Sequence, residues 1–331
     1  MTRPVDPADR HAFAEWFAVV DAGGRERWPG RPGWQPDELR APALDPQGAV
    51  RTVLLAEGDP VVGAGMVELP RHDNRHLAQV TVEVHPAHRR RGVGSAVLAA
   101  CERLAAGDGR RVVWGNDELQ VPAVPGPTFA EARGYGLVLE NLRRELAVPV
   151  DPARARRLEA LALARAAGYE VVAFAGRWPD GWVEDRALFG RLMSTDPPLG
   201  GWAVEEESWD RDRVRRHERL VDRTGRELLV AVARHRATGR PVAFTEIAVS
   251  RSAPALAYQW DTLVLPEHRG RRLGLLVKLA NLRQLAEISP GTEVVVTWNA
   301  STNRPMIDVN EALGCRVVSV GRTWQKAFGS A

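Results

Sequence analysis

The 331-residue sequence predicts an α/β fold built twice in tandem. Length is the first reason, since a chain of this size divides into two domains of roughly 165 residues more readily than it fills one. The second is an internal repeat. Pro86-Ala-His-Arg-Arg-Arg-Gly-Val-Gly94 returns 180 residues later as Pro266-Glu-His-Arg-Gly-Arg-Arg-Leu-Gly274, and Gly58-Asp-Pro-Val-Val62 returns 181 residues later as Gly239-Arg-Pro-Val-Ala243. The third is element order: in each copy β-rich runs lead into a strand–loop–helix crossover, the mark of an α/β unit.

In the first copy, Ala8–Val20 has helical periodicity, with Phe13, Phe17 and Val20 on one face. Val50–Ala56 and Val61–Leu69 are strands joined by the turn Glu57-Gly58-Asp59-Pro60. Leu77–His85 alternates and stops at Pro86. After the Arg/Gly loop, Val93–Ala106 is a helix and Val112–Trp114 a short strand. Val121–Pro127 reads as a Pro-rich loop and Tyr135–Leu146 as closing strands. Pro149-Val-Asp-Pro152 marks a linker, which sets the domains at 1–150 and 151–331, with 151–168 as a connecting helix. The second copy repeats the order. Its strands are Val171–Ala175, Glu227–Arg234, Val242–Val249 and Leu256–Leu265, and its helices Val183–Met193, Arg211–Arg223, Leu273–Ile288 and Pro305–Leu313.

Composition excludes whole classes of protein. With 44% apolar and 26% charged residues the chain is globular rather than disordered or collagen-like. No apolar run approaches the ~20 residues of a membrane helix, and the opening MTRPVDPADR carries no apolar signal segment. Two cysteines, Cys101 and Cys315, fit a reducing cytoplasm and offer no metal site; both are expected in the core. All but two of the 45 basic residues are arginine, but they are scattered among 42 acids for a net charge of only +3, so a nucleic-acid face is not expected.

The repeated loop sits between an extended strand and a helix. There, Gly92 and Gly94 let backbone approach an anion, the helix N-terminus supplies free N–H groups, and Arg89, Arg90 and Arg91 add charge. One such loop alone reads equally well as a turn with solvated arginines; two in the same context point to phosphate. His85, His88 and His268 flank the loops and are expected to touch phosphate or solvent.

At these residues the chain resembles the GCN5-related N-acetyltransferase (GNAT) superfamily, whose pyrophosphate motif is [Q/R]-x-x-G-x-[G/A]. Arg89–Gly94 matches it in full, and Arg269-Gly270-Arg271-Arg272-Leu273-Gly274 matches except for Arg272 at the middle glycine. Two tandem GNAT domains, each a mixed, mostly antiparallel sheet flanked by helices, are similar in arrangement to actinobacterial mycothiol synthases. The resemblance implies acetyl transfer from acetyl-CoA to a primary amine of a small molecule by direct attack on the thioester. It also implies CoA contacts from Val84, the loop Arg89–Gly94 with Val93, and Ser95. In the second copy these become Val264, Arg269, Gly270, Arg271, Arg272, Leu273, Gly274 and Leu275, with Asn299 and Asn303 near the pantetheine arm. The family's acid tyrosine corresponds to Asn310, which has no proton to give.

Strand alternation singles out the second copy as catalytic. Counting back from Val84 gives Val82, Val80 and Ala78, whereas counting back from Val264 gives Thr262, Trp260 and Tyr258. Trp260 and Trp298 are expected against the acceptor. Glu246 is the leading base, set opposite Gly65 by the repeat, and Asp261 the second choice if a bulge re-aims it. Tyr258 or water is left as the acid. The first copy is expected to bind CoA without chemistry. Two alternatives stay open: a non-catalytic CoA-binding sensor or scaffold, and a tRNA- or nucleic-acid-linked acyltransferase.

Overall fold

The computed structural model describes residues 1–120 and 128–328; the expected loop Val121–Pro127 lies outside them. In chain order the elements are β1 (Thr2–Val5), α1 (Arg10–Arg27), α2 (Pro36–Ala43), β2 (Val50–Glu57), β3 (Gly63–Pro70), β4 (Leu77–Val84), α3 (Val93–Gly107), β5 (Val112–Gln120) and β6 (Gly136–Ala147). The second half continues with α4 (Pro152–Leu163), β7 (Tyr169–Ala175), α5 (Val183–Met193), α6 (Arg211–Arg223), β8 (Arg226–His235), β9 (Pro241–Ser250), β10 (Leu256–Val264), α7 (Leu273–Ile288), β11 (Val294–Ala300), α8 (Arg304–Leu313) and β12 (Arg316–Ala327).

Local chemistry sets the helix ends. Asp9 caps α1 by accepting from the backbone N–H groups of His11 and Ala12, and Asp151 with Pro152 starts α4. Asn303 caps α8, which Gly314 ends at φ +101°. Helix α7 is apolar nearly all round because it is buried between the sheet and α4.

All twelve strands form one sheet, in the order β1-β2-β3-β4-β5-β12-β6-β11-β10-β9-β8-β7. Among the described residues only β4–β5 and β10–β11 are parallel, and both pairs part early. Leu77↔Val112 to Gln79↔Trp114 and Leu256↔Val294 to Tyr258↔Val296 are in register, after which the strands diverge. At the centre the halves exchange their last strands: β6 lies between β12 and β11, and β12 between β5 and β6. In the second half, α7 and α4 cover one face of the sheet, while α5, α6 and the Trp178 segment cover the other.

The copies differ by one residue in the sheet. The β3–β4 register is unbroken from Gly63↔Val84 to Glu68↔Gln79. In β10 against β9, Gln259 pairs Ile247 but Thr262 pairs Thr245, so three steps on one strand oppose two on the other. This β-bulge inserts one residue and turns the side chains around it.

Candidate active site

Each Arg/Gly loop folds the same way. Arg90 (φ +61°) and Gly92 (φ +83°) in the first copy, and Gly270 (φ +77°) and Arg272 (φ +58°) in the second, occupy the left-handed region. The non-glycine residue has moved between the two positions while the backbone path is kept, at the expense of strain at Arg90 and Arg272. Arg89 and Arg269 each donate from Nε to the last strand carbonyl, Val84 O (3.3 Å) and Val264 O (3.1 Å). Between Arg89 and Ala96, and between Arg269 and Leu276, the backbone N–H groups have no acceptor among the described residues. Each loop is thus a row of free donors at a helix N-terminus with arginine beside it, which is what a pyrophosphate requires. His268 accepts or donates across 2.9 Å to the Tyr169 hydroxyl, and Arg269 pairs with Asp196 at 2.5 Å.

A cavity of about 400 Å³ lies where β10 and β11 part. Its wall includes Trp260, Asp261 and Thr262 from β10, Thr297–Ala300 from β11, Lys278 from α7, and Asn303 and Met306 from α8. Asn141 of β6 and Pro197, Pro198, Leu199 and Trp202 complete the wall.

The bulge corrects the expected strand face. Thr262 and Val264 point toward α7, where their methyls lie 4.0 and 3.7 Å from the position a Cβ on Gly274 would take. Trp260 packs instead with the α5/α6 core, its ring 6.0 Å from His217, and Tyr258 stacks on Trp298 at 6.1 Å. Regular alternation fails because the inserted residue reverses the phase. Side chains hold the bulge in place. Gln259 donates to Thr245 Oγ1 (2.9 Å) and Glu246 O (2.6 Å), and the Thr245 and Thr262 hydroxyls bond at 2.7 Å. The repeat alignment also needs correction: Val84 pairs Gly63 and Val264 pairs Ala243, so Glu246 answers Met66 rather than Gly65.

The two candidate carboxylates meet on the α5/α6 face in different settings. Glu246 is 1% exposed, receives both Nε and Nη2 of Arg186 (3.0 and 3.1 Å), and accepts from Trp178 Nε1 (3.1 Å). Asp261 lines the cavity, and loss of hydration raises its carboxyl to about 6, with Arg186 opposing and Glu246 and Glu207 reinforcing. Burial pulls His217 down to about 4, so it is neutral beside them. Trp298 is 40% exposed beside the cavity, with Arg143 of β6 lying between it and Trp28.

On the α7/α8 side, Lys278 is 3% exposed and donates to Asn310 Oδ1 (3.1 Å), while Asn310 Nδ2 donates to Asn299 Oδ1 (2.5 Å). The sequence reading missed Lys278 and Arg186. A signal existed for the first: it is one of two lysines in the chain and interrupts the apolar run Leu273–Ala280. Cys101 is buried, its thiol pushed up to about 12 by desolvation, and Cys315 is half-buried. Among the described residues no helix is long and apolar enough to cross a membrane.

Comparison with known proteins agrees with this geometry. Residues 13–125 match the Acetyltransferase (GNAT) family. A tandem GNAT protein from the clavulanic acid biosynthesis pathway superposes with a TM-score of 0.78 at 26% identity, covering 100% of this chain and 99% of that one. The chain has the fold of a tandem GNAT protein. Its similarity to proteins named mycothiol acetyltransferase also spans both halves. The Geodermatophilus obscurus protein is 28% identical over 334 residues, 99% of this chain and 98% of that protein. The Mycobacterium leprae protein (strain Br4923) is 27% identical over 275 residues, 81% of this chain and 80% of its own. The family match and the relatives' names together support an acetyltransferase, and acetyl-CoA is the donor that GNAT-fold acetyltransferases use.

Proposed function

We propose that the protein moves an acetyl group from acetyl-CoA to a primary amine of a small molecule, with the chemistry in the second half. The opened bulge at β10 carries this reading: it sets Asp261 into the wall of a cavity that Lys278, Asn299 and Asn303 also line. The loop's free N–H groups and arginines suit the pyrophosphate, and the parted strands leave backbone groups for the pantetheine amides. On the opposite side Asp261, Glu205 and Glu207 give an acidic wall suited to a cationic amine, and a cavity of this volume suits a small acceptor. The relatives' names, which specify mycothiol, are in keeping with a small-molecule acceptor.

In this reading Asp261 takes the proton from the attacking amine, directly or through water, because a carboxylate raised to about 6 is ionised yet basic near neutrality. Glu246 orients Arg186 beneath it rather than meeting substrate. The first half, 1–150, lacks the bulge but keeps the loop geometry, which supports CoA binding there without transfer. The test is thiol release from acetyl-CoA across a panel of small amines. Wild-type kcat/KM is expected to rise with pH through about 6, and Asp261→Asn to lower kcat by ~10²–10⁴ while CoA affinity holds. Unchanged turnover in that variant removes Asp261 as base.

A further inference from the structure

We propose that Lys278 is the proton donor to the departing CoA thiolate, filling from α7 the role that Asn310 on α8 is chemically unable to fill. The proposal rests on the reading that acetyl transfer occurs in the second half.

Lys278 is a buried ammonium with no carboxylate within ion-pair distance among the described residues. Enclosing an unpaired charge is costly, and the equivalent residue of the first copy is Leu98, an ordinary core side chain. The ammonium has three N–H donors and one bond, to Asn310 Oδ1. An ammonium only donates, so the Asn310 oxygen faces the lysine, and its nitrogen is left to donate to Asn299 Oδ1. The remaining Nζ–H groups belong to a residue that lines the same cavity as Thr262 of β10 and Asn299 of β11, the two strands that part there.

The charged and titratable neighbours point the same way. Cys315, at the start of β12, bears on Lys278, and Arg144 of β6 bears on the same thiol. Arg144 is 2% exposed, with Nε and Nη1 lacking hydrogen-bond partners, and its nearest acid is Glu311 at 3.9 Å. Two cations with little negative charge between them favour an anion in this part of the site. Burial lowers the lysine to about 8, close to the range of an alkyl thiol, so proton transfer between them is nearly balanced.

The step balances without another reactant. The amine nitrogen bonds to the thioester carbonyl carbon, the C–S bond breaks with its electron pair on sulfur, and a Lys278 Nζ–H proton passes to sulfur to give free CoA. The surplus proton of the amine leaves through Asp261, and Lys278 regains one from solvent between turnovers.

Because Lys278 and Lys326 are the only lysines, protein labelled with ¹⁵N-lysine gives two side-chain signals, and Lys326→Arg assigns them. The Lys278 signal is expected to titrate at higher pH when CoA is added and to stay in place with desulfo-CoA, which lacks the thiol. In parallel, wild-type kcat should fall as pH rises through about 8. Lys278→Met should lower kcat by ~10–100-fold, abolish that alkaline fall and leave KM for acetyl-CoA within about threefold, with Lys278→Gln as a second variant. Lys278→Met should also raise Tm, whereas loss of a merely structural contact would lower it. A Lys278 signal that responds equally to CoA and desulfo-CoA, or an alkaline limb retained in both variants, overturns the proposal. Absence of CoA binding to the second loop, or of turnover with any amine, instead overturns the reading beneath it.

Discussion

Glu246 and Asp261 sit near each other on neighbouring strands, and their surroundings give them opposite work. Arg186 and Trp178 saturate Glu246 and leave it no approach to a substrate. Asp261, denied both a counter-ion contact and full hydration, keeps its proton until about pH 6. Glu246→Gln should therefore act on stability, because Arg186 is left buried with its charge unanswered. A loss of about 3–5 kcal/mol in denaturant unfolding is expected. The acidic limb of the rate profile, assigned here to Asp261, should persist and move to lower pH, because Arg186 still opposes the protonated form and Glu246 no longer reinforces it; a limb that vanishes in Glu246→Gln would return the base to Glu246. The sign for stability is the reverse of that for rate. A carboxyl with a raised folded pKa stabilises fully below its unfolded value near 3.8, and that contribution is lost as pH rises through about 6.

At the scale of elements, the bulge in β10 distinguishes the second copy, where the chemistry is proposed, from its twin. Gln259 is its keystone, since its amide ties Thr245 Oγ1 to the Glu246 carbonyl across the irregular step. Gln259→Ala is expected to cost about 1–3 kcal/mol. It should reduce kcat by more than tenfold with little change in KM for acetyl-CoA, because the loop proposed to bind CoA follows β10 while Asp261 depends on the bulge. A proportional rise in KM would show that the bulge shapes donor binding instead. Much of this level was legible in the sequence. The repeat located both loops, and α5, α6 and α7 begin and end where their periodicity and caps place them. Strand β1 and helix α2 were not legible, being four residues and eight residues with Pro42 inside. Nor was the phase change at Trp260, because alternation carries no mark of an extra residue until its partner strand is known. Lys278 was visible as an oddity, but its meaning needed Asn310 and Asn299, residues brought beside it by the packing of α8 and β11.

The whole molecule is joined more tightly than a two-copy sequence suggests. The linker read from the sequence divides the copies near residue 150, yet β6 and β12 cross that division, and no local pattern in either strand announces which sheet edge it will join. Side chains reinforce the exchange: Arg226 meets Glu38 at 2.9 Å, Arg31 meets Glu145 at 2.5 Å, and Asn74 accepts from Glu205 N at 2.7 Å. Since the second half's cavity is walled partly by Asn74 and Asn141, its shape depends on the first half being folded. One cooperative unfolding transition follows from this arrangement. Leu146 of β6 tests it, being buried in the α7 core although it comes from the first copy. Leu146→Ala should cost about 2–5 kcal/mol and shift a single calorimetric transition without splitting it. Amide-exchange protection should fall in α3 and β4 as well as in α7 and β11. Two separated transitions, with only the one belonging to α7 displaced, would show instead that the halves unfold independently and that the strand exchange couples them in shape but not in stability.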